Sequence, residues 1–142
     1  MTYAEVFLFT EDGNQVLLCK DDIGFHPIGM QIDNTNCMRE SLIRIIEKDL
    51  NVQLQLDDLV PLGSYRINSD RIAKLCNRSE TYYYAATIQQ SAIHQSPTSR
   101  EFICWCYTED ILNKAYTHKI LTSHRDIPFI VSEAMKHFEW NI

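Results

Sequence analysis

Between Phe25 and Val52 the chain gathers many of the residue types that do chemistry. His26 precedes a Pro27-Ile28-Gly29 turn, and Arg44, Glu47 and Asp49 follow on one segment. Histidine exchanges protons near neutral pH, so His26 could act as a base toward a phosphate or a water. It reads equally as an ordinary loop residue. Glu47 is either a functional carboxylate or a solvated partner of Arg44. Asp49 falls near the centre of an apolar stripe and in the last turn of a helix, where the macrodipole disfavours an anion. A carboxylate so placed is directed at a polar cleft or is salt-bridged at the helix end.

Other groups lie further along. Tyr82, Tyr83 and Tyr84 alternate across a strand, where they pack inward or stack on a base or sugar. Arg66, Arg71, Lys74 and Arg78 flank that strand and suit a phosphate, or form a wet loop. His118 and His124 fall in a late loop. No Ser–His–Asp or Cys–His arrangement follows from the spacings.

The elements that must position these groups are legible from pattern. Ala4–Thr10 and Gln15–Lys20 read as strands joined by a Glu11-Asp12-Gly13-Asn14 turn, an opening hairpin. Residues 26–32 are part strand and part loop. Asn34, Thr35 or Asn36 can cap a helix from about Cys37 to Asn51. Its apolar stripe is Met38, Leu42, Ile45, Ile46 and Leu50, and Glu40–Arg44 has the favourable i, i+4 spacing. Val52–Leu56 reads as a short edge strand, and such an edge permits a homodimer. Strands are expected over 61–67, Thr81–Ile88 and Phe102–Tyr107. Thr108 is expected to cap a short helix to about Tyr116, and Asp126 a final helix with Pro128 in its first turn.

The order of elements argues for one α+β domain over residues 1–142, a mixed β-sheet packed between helices. With 13 basic and 19 acidic residues the net charge is −6. That balance disfavours a nucleic-acid polymer as partner. No apolar run is long enough to span a bilayer. The opening Met-Thr-Tyr-Ala-Glu-Val lacks the regions of a signal peptide. The 5 cysteines include no Cys-x-x-Cys pair, so reduced, buried thiols in a cytoplasmic protein are expected.

The hairpin, the Pro-x-Gly segment, the amphipathic helix, the Tyr-rich strand and the run Cys104-Trp105-Cys106-Tyr107-Thr108-Glu109 resemble, in that order, the Nudix family. The signature itself is degenerate. The family pattern has a Gly, then a Glu, then Arg-Glu-apolar-x-Glu-Glu-x-Gly-apolar. Thr35 stands where the first Glu falls. With one residue inserted after Gly29, Arg44 takes the Arg position, Ile45 and Lys48 replace two helix glutamates, and Asp49 replaces the third. Without it, Arg44 and Glu47 occupy the first two glutamate positions and Lys48 the third. The first register is preferred, because it aligns Val52 and keeps Ile46 on the apolar face. In that register the helix also resembles that of the GDP-mannose mannosyl hydrolases.

This resemblance implies an Mg²⁺-dependent hydrolase of a nucleoside diphosphate derivative such as a nucleotide sugar. Asp49, Glu47, Arg44 and His26 would be catalytic. Asp49, Glu47 and the Gly29 carbonyl would hold the metal, and Gly29, Tyr83 and Arg78 would contact the ligand. The missing glutamates leave open a second implication, a Nudix-fold ligand-binding or interaction module without catalysis.

Overall fold

A turn at Gly13 starts the architecture. Its φ of +77° lies in the region that glycine tolerates best. The Gly13 N–H donates to the Thr10 carbonyl at 2.9 Å. The Asp12 carboxylate accepts from the Thr10 hydroxyl at 2.7 Å and the Asn14 N–H at 2.9 Å. These bonds, the Asn14 N–H foremost, hold its carboxyl below the usual carboxylate range. The strands so joined are β1 (Thr2–Thr10) and β2 (Gln15–Lys20).

The computed structural model describes residues 2–20, 25–66, 80–89, 102–113 and 127–140. Within them a seven-stranded mixed sheet adds β3 (Phe25–His26), β4 (Ile28–Ile32), β5 (Val60–Arg66), β6 (Glu80–Ile88) and β7 (Phe102–Tyr107). Strand β1 organises it. The whole of β1 runs parallel to β6, its first half pairs antiparallel with β4, and its far end pairs with β2. On its other edge β2 carries β7.

Period-two alternation sorts the side chains of β1 onto two faces. Ala4, Val6 and Leu8 meet the helix α1 (Met38–Leu50) through its buried Met38, Leu42, Ile46 and Leu50. Phe7 and Phe9 lie on the other face, with Val16, Leu18 and Ala85, beneath α2 (Thr108–Leu112) and α3 (Ile127–His137). The expected sheet between helices is therefore present.

Capping agrees with the sequence. The Asn34 side chain accepts from the Asn36 N–H at 3.0 Å, opening a 3-10 turn (Thr35–Cys37) before α1. Asn51 ends α1 in the left-handed conformation, φ 57°, its N–H on the Glu47 carbonyl.

Four expectations are corrected. Val52–Leu56 is not a strand: Val52 and Leu54 are buried in the α1-side core, and a 3-10 turn begins at Leu56. Their apolar side chains serve this chain's own core, so they offer no edge to a second copy. Thr108 begins α2 instead of capping it, and spends its hydroxyl on the hairpin turn, donating to the Gly13 carbonyl at 2.8 Å. Helix α2 ends at Leu112 rather than near Tyr116. Cys37 is exposed, while Cys19 and Cys106 are buried. Asp126, Cys76 and the polar stretches around 68–79 and 90–99 lie outside the described residues. Among those described, no helix is long and apolar enough to cross a membrane.

Candidate functional site

The site is framed by β4 and α1, joined through Asn34. Pairing with β1 fixes the facing of β4: Ile28 meets Val6 and Met30 meets Ala4 on the α1 side. Gly29 meets Glu5 on the other side. Gly29 is thus a mid-strand residue on the face opposite α1. Glycine is required by crowding there: a Cβ would stand 2.6 Å from the Glu5 Cγ and 2.7 Å from the Ala4 carbonyl oxygen.

On α1 the candidate residues separate. Asp49 is half-buried on the flank of the buried stripe, beside Ile45, and not at its centre. It makes no hydrogen bond or ion pair among the described residues, so neither reading open in the sequence is realised as a helix-end salt bridge. Ile46 is fully buried, as the preferred register needs. Glu47 is exposed and accepts from the Gln53 amide at 3.2 Å. Arg44 is exposed and pairs with neither Glu40 nor Glu47, although the spacing allows both. Long side chains in water gain little from such pairing.

His26 is half-buried in β3, opposite Cys19, which packs on the α1 side. Its Nδ1 lies 3.0 Å from the Pro27 carbonyl oxygen, which sets that nitrogen as a donor. Tyr83 is buried on the opposite face, its ring centroid 6.0 Å from that of Phe7. Tyr84 turns the other way and donates its hydroxyl to the Met38 sulfur at 3.5 Å. Arg71, Lys74, Arg78, His118 and His124 lie outside the described residues.

Sequence reasoning missed Glu5. Its relative exposure is 1%, the lowest of any charged residue described. Its signal was a single acid inside an apolar run, in phase with Phe7 and Phe9.

The donors present decide what metal could be held. Among the described residues no three His, Cys, Asp or Glu side chains converge on one point. A metal cage built by the protein does not fit this donor set. An ion carried in by substrate phosphates does, because Mg²⁺ commonly takes only one or two protein carboxylates. Asp49 is the half-buried carboxylate available for that. A separate open cleft of about 1060 Å³ lies at the hairpin end of β1, away from Gly29, lined by Thr10, Asp12, Gln15, Ile88 and Tyr107 among others.

Comparison with solved structures places this geometry. A MutT structure from work on Aliivibrio salmonicida and Vibrio cholerae superposes with TM-score 0.67 at 9% identity, over 92% of this chain and 93% of that one. The Nudix domain of Shewanella oneidensis NrtR, complexed with ADP ribose, gives 0.65 at 16% identity, over 96% and 87%. A binary complex of the C. elegans Ap4A hydrolase gives 0.63 at 12%, over 96% and 98%. No protein-family model and no curated protein matches the sequence. The chain has the Nudix fold, an α+β architecture.

Proposed function

We propose that the chain is a divergent Nudix-type hydrolase of a nucleoside diphosphate derivative, a nucleotide sugar or a relative of ADP-ribose, working in the cytoplasm. The observation that carries this reading is the superposition with Nudix-fold structures over more than nine-tenths of the chain. Within it, Asp49 stays half-buried at the end of α1.

In this reading Asp49 holds one divalent ion together with the substrate's phosphate oxygens, with Glu47 and the Gly29 carbonyl as further oxygen donors. When bound, such an ion neutralises phosphate charge and lowers the pKa of an attacking water. The protein's own part is positioning. The Pro27–Gly29 segment fixes β4 against β1, Asn34 turns the chain into α1, and the stripe from Met38 to Leu50 holds Asp49 in place. His26 is the proposed base and Arg44 a helix-ordering residue, while Tyr83 and Arg78 are the proposed ligand contacts.

A second reading, ligand binding without turnover, is favoured by one observation: no three acidic or histidine side chains converge among the described residues. Incubation with ADP-ribose, GDP-mannose and UDP-glucose, with and without Mg²⁺, separates the two. The hydrolase releases phosphate or sugar only with the ion. Asp49→Asn then lowers turnover about 10- to 100-fold or more, with an unchanged melting temperature. A binding module gives thermal stabilisation by the nucleotide, about 2.7 kcal/mol at 100 times Kd, and no product.

A further inference from the structure

Glu5 has no task in that mechanism, and its position calls for one. Burying a carboxylate costs several kcal/mol, and Glu5 sits in the middle of the central strand at 1% exposure. On either side the strand pairing sets Gly29 and Tyr83 level with it, on one face of the sheet. Gly29 has no side chain, and the Glu5 Cγ occupies the volume that a Cβ there would need. Two residues back on the same face stand Tyr3 and Thr81, paired with each other. Two residues forward the face becomes apolar, at Phe7 and Ala85, where α3 packs. The face opposite α1 is therefore divided along β1 into an apolar half and a half carrying a carboxylate, a hydroxyl and two tyrosines.

Resting on the functional reading above, we infer that Glu5 is a specificity-determining residue that accepts a hydrogen bond from an N–H or O–H donor of the ligand's nucleoside part. Charge assigns the moiety. A carboxylate beside a diphosphate is repelled by it, so Glu5 reads the donor-bearing end and leaves the phosphates to the α1 side of β4. Tyr83, level with it, supplies an aromatic surface of the kind that bases and sugars pack on. The strand pair Glu5–Gly29 links the two subsites through one backbone.

Isothermal titration of the full chain with ADP-ribose and with inorganic pyrophosphate tests this, for the wild type and for Glu5→Gln. The expected result is an ADP-ribose affinity weakened about tenfold or more, the scale of a lost bond to a charged group, with pyrophosphate affinity unchanged. An unchanged ADP-ribose affinity overturns the inference. So does an equal loss for both ligands, which marks a purely structural residue. Should Glu5→Gln fail to fold, Glu5→Asp keeps the charge and shortens the reach, and the same selective loss is expected. A wild type that binds neither ligand overturns the functional reading itself, and this inference with it.

Discussion

Gly29 is held to glycine by its neighbours across the strand and not by a turn. Adding a methyl group forces it against the Glu5 Cγ and the Ala4 carbonyl at under 3 Å. Gly29→Ala is therefore expected to destabilise by about 1–3 kcal/mol, the usual cost of overpacking, measured by urea denaturation. Adding Glu5→Ala recovers only part of it, because the Ala4 carbonyl belongs to the backbone and stays. At the same scale the thiols divide. Burial pushes Cys106 up to about 11 from an ordinary value of 9.0, with the neighbouring Cys104 and Asp110 adding to the shift. A folded-state value raised in this way gives stability that is complete below pH 9 and lost as the pH climbs toward 11. A thiol-reactive dye at pH 8 should label exposed Cys37 quickly, and Cys106 only at the rate of unfolding.

Elements were legible where local chemistry decides them. Asp12-Gly13 announced the hairpin, Asn34 the start of α1 and Asn51 its end. Asn51 holds φ 57°, which costs a residue with an ordinary Cβ about 1–2 kcal/mol. Asn51→Gly should leave the melting temperature equal or higher, and Asn51→Val should lower it by that free energy. The misread elements are those decided at a distance. Val52 and Leu54 alternate like an edge strand, but the neighbouring core takes both side chains. Thr108 has the composition of a helix cap, but its hydroxyl finds the Gly13 and Asn14 carbonyls, which only the folded hairpin brings near. Thr108→Val keeps the shape and removes those bonds. It should cost about 1–3 kcal/mol and loosen the hairpin turn in hydrogen exchange, with α1 unaffected.

For the molecule as a whole, what the sequence hid was sidedness. The order of elements gave a sheet between helices, and Asp49 could be placed at the end of α1 from spacing alone. Which face Gly29 and Glu5 occupy depends on the β1–β4 register, a long-range pairing that no local pattern encodes. The same sheet carries a core on each face, so the two cores should melt together. The two tryptophans test this from inside. Trp105 packs against the α1-side core, and Trp140 stacks on Phe138 and leans on Phe9 in the other. Trp140→Phe leaves a reporter of the first face, and Trp105→Phe a reporter of the second. Ile46→Ala, placed wholly in the α1-side core, should cost about 2–5 kcal/mol. Its urea midpoint should move equally when read from Trp105 or from Trp140. A shift seen by Trp105 alone would mean that β1 does not couple its two faces. A ligand contact at Glu5 would then be energetically separate from Asp49, even though the two share a strand pair and the helix packed on it.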